Sequence, residues 1–400
     1  MASPGSVGAP DTRLFTGPFI ALAIADLAYF TSAGVLILAT PLFARGPLGA
    51  DPVGVGIAVG AFSVTALVFR PWSGRESDRR GRRPLLIAGA MLAAAAILAH
   101  LVVTDLVVLV ALRLVLGVAE ALFFVAGFAM LADLAPRGRE GEALSFNSLA
   151  LYLGIAFGPL LGEILLGIGG FDAAWIGAAA LAGLAALLSL RLPMTGRQSD
   201  VQSGPMVFIH RGVVWPSAGL FSGVAAVAGF LAFVAIYGRD DLAMSSTGPV
   251  LLVYGLVVVG CRIVFAKVPD RVPPFRLASA ALALMAAGMA TTGLFTTVPG
   301  LFAGAAMMAV GVAFVTPAFF AAIARGLDPS ERGAAFGTVS IFLDLAFGGG
   351  PVVLGLIVGA ASIPTAFLLA ALIPATGSVA TAFAAMHGRR TPRLDAPERK

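Results

Sequence analysis

Four ionisable side chains sit where the surrounding sequence offers them little water. Asp26 lies in Ala25-Asp26-Leu-Ala-Tyr29, Arg113 and Glu120 share one apolar run, and Asp344 precedes Gly348-Gly-Gly350-Pro351. A charge at the centre of a membrane helix costs about 2.5–3.5 kcal/mol on insertion scales, so each marks a functional position by default. The chemistry open to such groups is proton binding or charge recognition. A carboxylate in a poorly solvated cavity takes up a proton more readily than one in water. Arg113 and Glu120 are seven residues apart, about 10.5 Å along a helix and on nearly one face. The arginine could therefore counter that carboxylate in one conformation and leave it in another. A fixed ion pair, such as Asp26 with Arg113, is the structural alternative; for Asp344 it is a helix–helix hydrogen bond beside a glycine hinge. Arg262, next to the sole cysteine, Cys261, is a fifth charge inside an apolar run. No nucleophile–base spacing, metal-ligand pattern or Walker sequence accompanies them. The expectation is a protein that is not an enzyme and holds no metal or cofactor.

The elements that position these groups are membrane helices. Of 400 residues, 59% are hydrophobic and 12% charged, with mean hydropathy +0.97; a soluble domain carries about 25% charge. Apolar runs fall at 15–43, 53–72, 84–103, 106–131, 143–167 and 171–192, then at 213–237, 248–268, 275–297, 299–324, 333–359 and 362–386. Runs of this length, apolar all round, are helices spanning a bilayer. The expected organisation is an N-terminal tail (1–14), a six-helix bundle (15–192), a linker (193–212), a second six-helix bundle (213–386) and a basic tail (387–400). The start, Met1 to Thr12, has no cleavable signal pattern, and the first run is too long for a signal-peptide core.

Charge placement sets the orientation. All Lys and Arg except Arg45, Arg239, Arg113 and Arg262 fall on one side of the expected spans. The positive-inside rule makes that side, with both termini, cytoplasmic. The basic residues sit in short loops and a tail rather than in a basic domain, which excludes nucleic acid as a partner. Arginine far outnumbers lysine (Lys267 and Lys400 only), and Ala and Gly abound; this composition suggests a GC-rich bacterial genome, and hence the bacterial inner membrane.

The two halves repeat at a step near 192 residues. Arg70 precedes Asp78-Arg79 as Arg262 precedes Asp270-Arg271, and Pro159 steps to Pro351. Leu134-Ala-Pro136 recurs as Leu327-Asp-Pro329, and Gly117-Val-Ala119 as Gly311-Val-Ala313. Parallel repeats with a substrate site near the midplane between them are a transporter arrangement.

Three motifs then carry a resemblance to the major facilitator superfamily, within it to the twelve-helix drug:proton antiporters, from about Phe15 to Met386. The charged knot from Phe69 to Pro84 is similar to motif A at Gly74, Asp78, Arg79, Gly81, Arg82 and Arg83, departing at Glu76, where the family usually has an apolar residue. Arg113-Leu-Val-Leu-Gly117 is similar to motif B, with Leu116 in place of the usual glutamine and Glu120 in place of a small residue. Gly154-Ile-Ala-Phe-Gly158-Pro159-Leu-Leu-Gly162 resembles motif C, the antiporter motif, with Glu163 where the family has a final glycine.

The resemblance implies an all-α membrane protein with twelve transmembrane helices in two pseudo-symmetric six-helix bundles. It implies proton-coupled efflux of small amphipathic or drug-like molecules, as in multidrug resistance, by a monomer drawing on the proton gradient. A sugar or metabolite transporter of the same fold is the alternative reading; a non-transporting scaffold is the remote one. Helices 1, 4, 7 and 10 line the cavity in this superfamily, which makes Asp26 and Glu120, with Arg113 and Asp344, the candidates for proton coupling or substrate contact. Tyr29, Phe123, Tyr152, Tyr237 and Phe314 are candidate cavity aromatics, together with Phe124 and Phe319. Motif A is expected to form a cytoplasmic gate, with Asp78 reaching the start of helix 11 near Gly333. Motif C is expected to seal helix 5.

Overall fold

The computed structural model describes residues 14–136, 139–195, 210–325 and 332–387. The tails and most of the expected linker, residues 196–209, lie outside the described residues, as do Leu327-Asp-Pro329 of the repeat. Among the described residues there is no strand. Ten helices are long and apolar enough to cross a membrane by length and composition.

We number the helices α1 (Gly17–Arg45), α2 (Pro52–Arg80), α3 (Arg82–Leu98), α4 (Leu106–Leu134), α5 (140–168), α6 (171–189), α7 (Val214–Ile236), α8 (Gly248–Val264), α9 (Pro274–Leu294), α10 (Val298–Arg325), α11 (Arg332–Ala360) and α12 (Ile363–Met386). α5 and α6 form one helical stretch broken at Gly169 and Gly170, and α8 is apolar but short, at 17 residues. With that break and that short helix, each of the twelve expected crossings has a helix.

Local sequence fixes the helix starts at the end of the bundle that carries Arg45. Asp51 accepts from the Gly54 N–H at 2.7 Å ahead of Pro52, and Asp105 from the Val108 N–H at 3.0 Å. Such caps satisfy amides that have no partner within the helix.

At the opposite, basic end the charged knot is not the loop the sequence suggested. α2 continues through Arg75, Glu76, Asp78 and Arg79 to Arg80, and one residue, Gly81, separates it from α3. Gly81 has φ 92°, which strains any side chain with a Cβ; its neighbour Arg82 donates its N–H to the Thr195 carbonyl at 3.1 Å. α2 is itself in two pieces, Pro52–Gly60 and Phe62–Arg80.

Small residues bring the helices of the first half together. A Cβ on Gly154 would lie 2.6 Å from backbone of Phe30, and one on Gly158 2.5 Å from the Gly34 Cα, so α5 rides directly on α1. Ser32 donates to the Ala178 carbonyl of α6 at 2.7 Å. In the second half, α7 meets α11 where a Cβ on Gly350 would lie 2.3 Å from the Ala225 carbonyl, and α9 meets α10 at Gly288 and Gly304.

Two lines of the seam between the halves are packed on small residues, α2 with α11 and α5 with α8, and α1 also meets α7. On the first, a Cβ on Gly56 would meet the Pro351 carbonyl at 2.4 Å, and one on Gly60 the Gly348 carbonyl at 2.4 Å. On the second, Gly255 faces Ala156, and Gly248 faces Leu160 and Glu163. The 192-residue step relates the two lines: Gly56 goes to Gly248, Ser63 to Gly255, and Ala156 to Gly348. The repeat seen in the sequence is thus also a repeat of contacts.

Candidate functional site

Both lines lead inward from the Arg45 end to an arginine. On α2, Arg70 is shared by two carboxylates from different halves. Its Nη2 lies 3.0 Å from Glu120 Oε1 on α4, and its Nε 2.8 Å from Asp344 Oδ2 on α11. Nη2 also donates to Asp344 Oδ1 at 3.0 Å. The guanidinium stands 4.8 Å from the Phe124 ring centroid. The Asp344 side chain is 2% exposed and that of Arg70 17%. A planar guanidinium carries five donors in a fixed fork, so it can hold two carboxylates at once in one set geometry. Two carboxylates and one cation leave a single negative charge, and the buried Glu120 Oε2 accepts no hydrogen bond among the described residues.

Glu120, partly buried, and Asp344, buried, thus meet at one cation, and that cation is Arg70, which the charge count had grouped with the cytoplasmic knot. Arg113 does not counter Glu120 from along its own helix. It donates from Nε to the Ala58 carbonyl at 3.0 Å and from Nη2 to the Val59 carbonyl at 2.9 Å, with its guanidinium 5.0 Å from the Phe62 ring. It serves the carbonyls beside the break in α2. Asp26 is buried on α1, its Oδ1 3.7 Å from where a Cβ on Gly127 of α4 would be.

The aromatic candidates divide. Tyr29 and Phe123 stack on each other at 3.9 Å and are buried in the α1–α4 packing. Tyr237 is fully buried, its hydroxyl donating to the Thr292 carbonyl at 3.4 Å, and Phe319 is likewise core. In this arrangement all four are packed in the interior. Phe314 is partly buried, 6.3 Å from Phe265. Tyr152 lies on the seam: its hydroxyl accepts from Arg262 Nη2 at 2.9 Å.

In the motif A stretch, Asp78 pairs with Arg82, which also reaches Asp133 of α4 at 3.3 Å. Glu76 pairs with Arg80, four residues on. Arg79 is exposed. Gly74 is a mid-helix residue where a Cβ would meet only Val125 at 3.9 Å, so no tight turn needs it. The expected contact of Asp78 near Gly333 concerns a side-chain environment outside the described residues. In motif C, Gly154, Gly158 and Pro159 pack α5 on α1, while Gly162 makes ordinary contacts with Val35 and Leu38.

Glu163, which stands where motif C has its final glycine, joins the halves. Its Oε1 pairs with Arg239, and its Oε2 accepts from the backbone N–H groups of Thr247 and Gly248 at 3.3 and 3.1 Å. α8 has no side-chain cap of its own, so a residue of the other half caps it. Glu163→Ala removes charge-assisted bonds worth about 1.5–3 kcal/mol each from this end alone. The expected outcome is a wider Arg45 end, read as a longer distance between spin labels at Arg45→Cys and Asp240→Cys in a Cys261→Ser background. An unchanged distance removes the latch role.

The family model described as Major Facilitator Superfamily matches residues 22–298 and 270–400. The chain is 28% identical over 369 residues to an uncharacterized MFS-type transporter of Salmonella typhimurium strain LT2, covering 87% of this chain and 92% of that one. It is 27% identical over 402 residues to another in Burkholderia pseudomallei strain 1106a, covering 94% of each. Among solved structures it resembles that of a mutant form of the nucleoside transporter NupG, with TM-score 0.76 at 13% identity over 92% of this chain and 99% of the other. At that identity the likeness is one of fold.

Proposed function

This chain belongs to the Major Facilitator Superfamily, and from that premise we propose that it is a proton-coupled secondary transporter that expels small amphipathic molecules by alternating access. The observation that carries the reading is the Arg70 cluster. Arg70 binds Glu120 of its own half and Asp344 of the other, so charge in the cluster decides how firmly the halves are held. With a proton on Glu120 the cluster is neutral and the Arg70–Asp344 bridge keeps its full attraction. Loss of that proton returns a net negative charge to a weakly polar interior, where charges interact strongly. Proton binding can shift the equilibrium between two arrangements only through such a difference between them.

The Arg45 end, closed by the glycine seam and by Glu163, is the outer one in this reading, and the basic end is cytoplasmic by the positive-inside rule. Asp26, buried beside Gly127, is a second candidate for proton carriage. The direction, export, rests on the likeness of Gly154–Gly162 to the antiporter motif.

The test is flux in inverted membrane vesicles with an imposed proton gradient and a panel of dyes. Wild-type protein is expected to move substrate in exchange for protons. Glu120→Gln is expected to retain substrate exchange at equilibrium while losing gradient-driven accumulation. Accumulation at wild-type levels in Glu120→Gln, Asp344→Asn and Asp26→Asn alike would remove the proton-coupling assignment. Flux in the opposite direction would replace the exporter by an importer.

A further inference from the structure

Resting on the transport reading, we propose that Arg262 is the recognition point for an anionic group, a carboxylate or sulfonate, on the transported amphipath. Arg262 is the repeat partner of Arg70, and the same 192-residue step carries Tyr152 to Asp344. The contact repeats with the residues: Arg70 reaches Asp344 across one line of the seam, and Arg262 reaches Tyr152 across the other. The step from Gly117 to Gly311 carries Glu120 to Phe314. Both carboxylates of the Arg70 cluster therefore map onto uncharged residues: Tyr152, which Arg262 touches, and Phe314, which packs 6.3 Å from the ring of Phe265, three residues after Arg262.

What remains at Arg262 is a cation without its anions. One nitrogen donates to the Tyr152 hydroxyl, and the guanidinium stands 4.2 Å from that ring. Its Nε is buried and has no hydrogen-bond partner among the described residues, and no carboxylate described pairs with it. A guanidinium offers five donors in a planar fork that fits an anion with two oxygens. Arg262 sits in the last turn of α8, and a partly buried guanidinium with an unmet Nε favours an anion beside it; here the protein leaves that role to a ligand.

The position suits a substrate rather than a structural ion. Arg262 belongs to α8 and Tyr152 to α5, so an anion between them touches both halves. A ligand held by both halves discriminates between arrangements that bring them together and apart, which substrate must do in alternating access. Phe314, partly buried nearby on α10, offers apolar surface for the rest of an amphipath.

The test uses the full chain in phosphatidylcholine nanodiscs, with no gradient. Binding of naphthylacetate, and of naphthylmethyl-trimethylammonium as its cationic counterpart, is followed by calorimetry. Naphthylacetate is expected to bind in preference. Arg262→Gln should weaken it by about tenfold or more, as loss of a charge-assisted contact would, with Arg262→Lys intermediate. Tyr152→Asp is the decisive variant: it installs the carboxylate that the other repeat carries, pairs the cation internally, and is expected to abolish naphthylacetate binding with thermal stability kept or raised. Preference for the cation, no binding of either probe, or wild-type affinity in both Arg262→Gln and Tyr152→Asp would overturn the proposal. Displacement of naphthylacetate by phosphatidylglycerol, without flux of naphthylacetate, would assign the anion to lipid and overturn it as well. Arg262-dependent binding with no flux of any probe in the vesicle assay would keep the anion site but remove the transport reading and, with it, the claim that the ligand is cargo; flux with binding indifferent to Arg262 would overturn this inference and leave the transport reading standing.

Discussion

Arg70→Gln is expected to abolish transport and to cost about 3–5 kcal/mol of stability, the range for removing one partner of a buried ion pair. The loss follows from what is left behind. Glu120 and Asp344 would face each other with no cation between them, in a site where neither is well hydrated. Neutralising the stranded acids tests that cause. Adding Glu120→Gln and Asp344→Asn to Arg70→Gln should return the melting temperature close to that of the wild type while transport stays absent. Arg70→Lys should fall between, because an ammonium keeps the charge but lacks the planar fork that fixes both carboxylates in one geometry. Wild-type flux in Arg70→Gln would end the view that this cation links the halves.

Gly60→Leu is expected to stop the cycle without unfolding the chain. The three atoms nearest to a Cβ at this position all belong to Gly348 of the other half, the closest being its carbonyl oxygen at 2.4 Å. Backbone there has little freedom to retreat. Overpacking costs typically about 1–3 kcal/mol, and at 1.4 kcal/mol per tenfold the upper figure is roughly a hundredfold fall in the closed population. Spin labels at Arg45→Cys and Asp240→Cys in the Cys261→Ser background should report a lengthened distance, with transport lost and thermal stability largely kept. Gly74→Leu is the control, since that position meets only Val125, at 3.9 Å. Equal effects of the two substitutions, or none from Gly60→Leu, would contradict the seam's role.

The sequence made the helical membrane fold legible because apolar runs of spanning length have few other solutions. It also marked Glu120 and Asp344, since charge inside an apolar run stands out. Arg70 escaped for a local reason: it adjoins Pro71 and the charged knot, which looked like a loop. α2 instead runs to Arg80, ten residues or about 15 Å beyond Arg70 at 1.5 Å per residue. The signal was present, because the repeat pairs Arg70 with Arg262, which was already placed inside a span. For Arg113 the spacing along one helix pointed to Glu120, whereas the carbonyls it serves belong to α2 beside Ala61, a neighbour that spacing within one helix does not reveal. The role of Glu163 depends on the second half lying beside it, and no local pattern encodes that neighbour. Tyr29, Phe123 and Tyr237 show the limit of composition: aromatic residues in a span pack in the interior as readily as they line a path.

The joint at Gly81 has a mechanical consequence. With a single residue between them, α2 and α3 have no slack: a tilt of one must be passed to the other. Neighbours joined at Gly81 therefore travel as one piece, and any rocking of the first half carries α2, with its glycine line and Arg70, as part of one rigid lever.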